Sequence, residues 1–138
     1  MAVLGQHLFE ELVAMCRISQ DRNPTLLLGH VGITALHLSS VQHHTDEREA
    51  AIQGIVNAYG LKRWESDELL TGRAGWLQAA VAAGCYSNSL GRSVMKQAVE
   101  DILSSGIARA KSDGCLPPLT WEWHKKIYLG AAHGAMGV

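Results

Sequence analysis

A chain of 138 residues, 47% apolar and 18% charged with a net charge of −1, has room for one ordinary domain and no electrostatic lean toward nucleic acid or an anionic membrane. No apolar run approaches the roughly 18–20 residues that cross a bilayer. The three cysteines, Cys16, Cys85 and Cys115, are widely spaced and form no Cys-x-x-Cys pair, which suits reduced thiols of an intracellular protein better than a disulfide frame.

The opening stretch MAVLGQHLFEELVAMC places Glu10 and Glu11 where a signal peptide needs its apolar centre, and Ala2 breaks the myristoylation pattern. The expectation is a cytoplasmic protein. Within the same stretch Leu4, Leu8, Leu12 and Met15 recur at helical steps on one face. LLLGHVGITALHLSS follows, apolar or small nearly all round, and predicts a helix enclosed by others. His43 and His44, beside Thr45 and Asp46, read as a polar turn, because adjacent helical residues do not share a face on which to hold a metal. The acidic start TDERE then leads into a helix with Ile52, Ile55, Val56 and Tyr59 on its apolar side.

LLTGRAGWLQAAVAAG predicts a second enclosed helix. It is followed by an amphipathic one whose stripe is Val94, Met95, Ala98, Val99, Ile102 and Leu103, with Lys96, Gln97, Glu100 and Asp101 opposite. CLPPL marks a loop. TWEWHKKIY alternates, but no strand is predicted there. YLGAAHGAMGV reads as the start of another helix.

The glycines reveal a repeat. LLLGHVGITAL (26–36) and LLTGRAGWLQA (69–79) share a Leu-Leu-x-Gly-x-x-Gly pattern whose first glycines, Gly29 and Gly72, stand 43 positions apart. YLGAAHGAMGV supplies a third copy if Ala131 takes the place of the first glycine and Gly134 that of the second. Periods of this size suggest helical hairpins. An outer amphipathic helix would alternate with an inner helix starting near 29, 72 and 131, as in an α/α toroid. A helical bundle whose glycines are turn and cap residues is the plain alternative, and both are all-α.

LLTGRAGWL and, more specifically, PLTWEWHKKIYLGAAHGAMG resemble the eukaryotic LanC-like proteins, relatives of bacterial lanthionine synthetase C. The resemblance is clearest from about residue 65 onward, and LLLGHVGITAL has the form of the preceding repeat. It implies an incomplete α/α toroid of the six- or seven-hairpin type, spanning 1–138, with inner helices around a central site. It also implies zinc-dependent addition of a thiol, from glutathione or a peptide cysteine, to dehydroalanine or dehydrobutyrine residues. A zinc-bound sulfur is a thiolate at neutral pH, and a histidine suits delivery of a proton to the enolate carbon.

The resemblance gives His133, in Gly-x-x-His-Gly, a proton-transfer or enolate-stabilising role in a complete ring. Its plain alternative is a ring that satisfies nearby backbone at a tight turn. Glu68, four positions before Gly72, stands where some bacterial members carry a catalytic Asp; taken alone it reads as a solvated charge at a helix start. Arg73 and His30 follow the first glycines of their repeats and read as anion contacts or solvent-facing groups. Trp121, Trp123, His124 and Tyr128 read as a wall for peptide or glutathione, or as an anchor for their loop. Gly29, Gly32, Gly72, Gly75, Gly130 and Gly134 read as sites of close backbone approach.

The family's two cysteine and one histidine zinc ligands lie in motifs beyond the Gly-Ala-Ala-His-Gly stretch. Cys16, Cys85 and Cys115 do not match them, so no metal ligands are expected in this sequence, and the chain reads as an inactive portion of a LanC-like protein prone to self-association. Two other functions fit the pattern. One, implied by the resemblance to the eukaryotic relatives, is a helical-repeat binding or signalling protein for glutathione or a hormone, peripheral at the plasma membrane. The other is a six-hairpin glycosidase using Glu68 and Glu122 as paired carboxylates.

Overall fold

The computed structural model describes residues 7, 11, 24–27, 29–40, 46–61, 63–114 and 118–138. The stripe of Leu4, Leu8, Leu12 and Met15, the His43–His44 pair, Cys16 and Cys115 lie outside them. The described elements are α1 (His30–Ser40), α2 (Asp46–Leu61), α3 (Arg73–Ala83), a 3-10 turn (Cys85–Ser87), α4 (Ser89–Asp113) and a hairpin of β1 (Glu122–Trp123) and β2 (Lys126–Ile127). The architecture is all-α apart from that hairpin.

The helices start and stop where local chemistry directs. Asn88 caps α4 by accepting a bond from the Gly91 amide at 2.7 Å. Gly84 and Gly114 end α3 and α4 in the left-handed conformation, with φ of 80° and 61°, which glycine adopts without a Cβ clash. The turns before α1 and α3 share one geometry. A Cβ added at Gly32 would stand 1.8 Å from the Leu26 carbonyl oxygen, and one at Gly75 would stand 1.9 Å from that of Leu69. Each second glycine therefore lets its helix pack on the carbonyl six residues back. Gly134 does the same over the Tyr128 carbonyl at 2.1 Å, which fixes the register of the third copy. Gly72 is packed against Glu68 backbone at 2.4 Å, whereas Gly130 has open space around it. Gly130 is thus not a close-approach glycine.

Backbone bonds link the three copies in sequence order. The Leu27 amide donates to the Leu70 carbonyl at 3.1 Å, and the Leu69 amide donates to that of Ala132 at 3.3 Å. At the other end, the Arg48 guanidinium donates to the carbonyls of Leu38, in the last turn of α1, and Ala83, the last residue of α3, at 2.7 and 3.3 Å. Both starts are together and both ends are together, so α1 and α3 run side by side in the same direction. A parallel pair with α2 returning between them is the connectivity of helical hairpin repeats, and an up-and-down bundle shares it for its first and third helices.

The core fills the space between these helices. Trp76 is completely buried, its indole N–H donates to the Ile55 carbonyl at 3.0 Å, and its ring lies 4.6 Å from that of Tyr59. Val31, Ala35 and Leu38 of α1, Ile52, Ile55 and Val56 of α2, and Ala79, Ala80 and Ala83 of α3 close around it. The Tyr59 hydroxyl donates to Asp101 at 2.6 Å, joining α2 to α4.

Four expectations are corrected. The inner helices are not enclosed all round: Leu36 is 70% and Val81 49% exposed, because α1 and α3 are covered by described neighbours on one side. The apolar stripe of α4 divides. Ala98, Ile102, Gly106 and Ala110, four residues apart, are buried, while Val99 and Leu103 stand out toward solvent; small side chains at this spacing bring α4 close on one narrow side. Finally, TWEWHKKIY is a hairpin, with Glu122 opposite Ile127 and Trp123 opposite Lys126. Its two loop residues, His124 and Lys125, have φ of 48° and 62°, the pairing that matches the twist of a two-residue turn. Residues 131–133 form turns where the sequence predicts the start of a helix.

Candidate functional site

The turn before α3 is a charged knot. The Arg73 and Ala74 amides, at the start of the helix, donate to the carbonyls of Ser66 and Asp67 at 3.2 and 3.3 Å. This folds Ser66–Thr71 back over the helix start and turns two carboxylates inward. Asp67 and Glu68 are 5% and 2% exposed, so the solvated charge expected at Glu68 is a buried one. Asp67 pairs with the Arg73 guanidinium at 2.5 Å, which places Arg73 beside the knot as an internal partner.

Burial by itself would raise the Glu68 carboxyl. Hydrogen bonds from the Thr71 hydroxyl, the Leu70 and Thr71 amides and His133 outweigh it, and hold Glu68 below its ordinary value. Glu68 is therefore an acceptor only at neutral pH. The Nδ1 of His133 lies 3.0 Å from its Oε2, and an acceptor on that side requires Nδ1 to carry the proton. In that neutral form Nε2 carries no proton.

The aromatic residues gather around the same histidine. Trp123 stacks on the His133 ring with centroids 3.8 Å apart and an 8° angle between planes. Tyr128 approaches both rings edge-on, at 6.2 Å from His133 and 5.9 Å from Trp123. His124 meets Trp123 edge-on at 4.2 Å but is itself exposed. The structure thus joins Glu68, His133, Trp123 and Tyr128 directly, with Arg73 next to them through Asp67. His30, the counterpart of Arg73 in the first repeat, is exposed at the start of α1.

Sequence reasoning passed over Asp67 and Thr71. The signal was present in Asp-Glu-Leu-Leu-Thr-Gly: a threonine three residues beyond a carboxylate is in reach for a local hydrogen bond, and an Asp six residues before an Arg across a turn can pair with it. It also passed over Gly106 and Arg109 on α4, whose relation to the hairpin spans too much of the chain to appear in any local pattern.

A family model for lanthionine synthetase C-like protein matches residues 6–138. The chain belongs to that family. Its members are helical toroids, in agreement with the parallel inner pair α1 and α3. Among the described residues no three His, Cys, Asp or Glu side chains could hold a metal ion together. Cys85 is completely buried, and burial pushes its thiol up to about 11, so it is a poor ligand for the zinc that the resemblance implies. The described residues do not fit that ion. No helix among them is long and apolar enough to cross a membrane.

Proposed function

We propose that the mouth formed by the second and third repeats serves addition of a thiol to a dehydroamino-acid residue of a peptide or protein, with His133 as the proton donor. The addition forms a sulfur–carbon bond at the β-carbon and breaks the π bond between the α- and β-carbons, leaving the single bond. The α-carbon then takes a proton, and the thiol's proton leaves to solvent. In this reading His133 Nε2 takes up a proton from solvent and delivers it to the α-carbon, returning the ring to its neutral Nδ1–H form, while Glu68 holds Nδ1 and with it the orientation of the ring. The observation that carries the reading is the buried Glu68 carboxylate paired with His133 in a chain of this family.

Zinc and glutathione belong to the proposal as thiol activator and thiol donor. Since the described residues offer no ligand set, the native chain by itself is proposed to be inactive toward glutathione. An aromatic thiol that is already ionised at neutral pH removes the need for activation and exposes the proton-transfer half. The native chain should speed its addition to a dehydroalanine peptide, and His133→Ala should return the rate to background. Equal rates with both proteins would reject the role of His133; tight glutathione binding without any rate effect would favour the binding protein.

A cytoplasmic location, with peripheral contact at the plasma membrane, is part of the same reading. So is self-association: Val99, Leu103 and Ile107 form an exposed apolar row on α4. The glycosidase alternative loses its support, because Glu68 is committed to the bonds above and Glu122 is paired with Arg109 at 2.6 Å.

A further inference from the structure

The hairpin is fastened to α4 by contacts that do not touch His133. The Trp121 indole N–H donates to the Ile102 carbonyl at 3.0 Å. The same indole lies flat on Gly106, where an added Cβ would meet its ring atoms at 2.7–2.9 Å. The Thr120 amide donates to the Gly106 carbonyl at 3.1 Å, and the Glu122 carboxylate pairs with Arg109. Two residues beyond Trp121, Trp123 covers one face of the His133 imidazole. The tight turn at His124–Lys125 returns the chain to Tyr128, whose ring closes the edge of the stack.

We infer that Trp123 is a positioning residue for His133, and that the Trp121–Gly106 latch on α4 sets its place. Glu68 fixes the imidazole at one atom but leaves the ring free to rotate about that hydrogen bond. The indole, parallel at stacking distance, removes this freedom. With one edge held by Glu68 and one face by Trp123, Nε2 points in a single direction. This gives the tryptophan a role distinct from walling a substrate site, and it makes α4 part of the machinery that aligns the proton donor. The inference rests on the proposed role of His133, but its geometric content can be measured without turnover.

The test is the protonation pattern of His133, read by long-range proton–nitrogen NMR on the histidine-labelled full chain. It compares the native protein with Trp123→Phe, Trp123→Leu and Gly106→Ala. The native chain and Trp123→Phe should carry the neutral-ring proton on Nδ1. Trp123→Leu should relax toward the Nε2–H form that a free histidine prefers, and Gly106→Ala should shift the same way by displacing Trp121. In the aromatic-thiol assay Trp123→Leu should lower kcat by about tenfold with KM unchanged, the signature of lost alignment, while Trp123→Phe retains most of the rate.

A native-like His133 tautomer in Trp123→Leu would overturn the inference. Should Trp123→Leu lose its cooperative unfolding transition, Gly106→Ala decides by the same readout. A shifted tautomer in a protein whose native form never accelerates the addition would retain the positioning role and reject the proposed reaction, so the two failures are distinguishable.

Discussion

The mouths of α1 and α3 are the same turn filled with different chemistry. Both pack a second glycine on the carbonyl six residues back, and one backbone bond ties them together. Where the second copy carries Glu68, the first carries Thr25, fully buried with no partner for its hydroxyl. Where the third copy carries His133, the first has Val31, also fully buried. The first mouth is therefore an apolar support, and the charged residues gather at the second, where the third copy reaches them. The glycine pattern sets the turn, and the positions between the glycines decide whether that turn carries chemistry.

The comparison can be broken most severely at its shared scaffold. Gly75→Ala would drive a methyl group against the Leu69 carbonyl and to 3.0 Å from the Leu26 side chain. A loss of at least about 3 kcal/mol is expected, the upper range for overpacking, measured by urea unfolding. Gly54 of α2 is the control: an added Cβ there meets nothing within 4 Å. Gly54→Ala should stabilise by roughly 0.5–1 kcal/mol, as expected for a helix-interior glycine. If both substitutions had similar effects, the close approach at the repeat glycines would be wrong.

Exchanging the chemistry between mouths should have smaller and opposite effects. Glu68→Ala leaves the Leu70 and Thr71 amides and His133 without their acceptor, and should cost about 1.5–3 kcal/mol. Thr25→Val removes a hydroxyl that has no partner; it should be neutral or stabilising by about 1 kcal/mol. A large loss on Thr25→Val would show that the two mouths are more alike than their side chains suggest.

The smallest effect is in pH. The Glu68 carboxyl is held below its ordinary 4.5 in the folded protein, so its contribution is fully present above that value. It is lost as pH falls below 4.5 and passes through the lower folded value. The native chain should lose stability in that range more steeply than Glu68→Gln. Parallel curves would place the acid-sensitive carboxylate elsewhere.

Much of this fold is legible in the sequence because its repeats are local. Leu-Leu-x-Gly-x-x-Gly carries its own turn, and the apolar steps at Ile52, Ile55, Val56 and Tyr59 place α2 correctly. The site is less legible. His133 and Trp123 stand out by residue type, but the stacking of one on the other depends on a hairpin whose turn uses His124 and Lys125 at positive φ, with no glycine to mark it. Burial of Glu68 is equally silent in the sequence: a carboxylate at a helix start is ordinarily solvated, and only the folding back of Ser66–Thr71 encloses it. The exposed sides of Leu36 and Leu103 differ from expectation for a related reason, since periodicity shows that a face is apolar but not whether anything covers it.

The central claim is that the second and third repeats meet through Glu68 and His133 to make one site. It is tested most directly by a double-mutant cycle, measuring unfolding free energies of the native chain, Glu68→Ala, His133→Ala and the double variant above pH 5. A coupling of about 1.5–3 kcal/mol is expected, the range for a hydrogen bond to a charged group. Losses that add to within about 0.5 kcal/mol would mean that the two residues act independently, and the joined mouth would be contradicted.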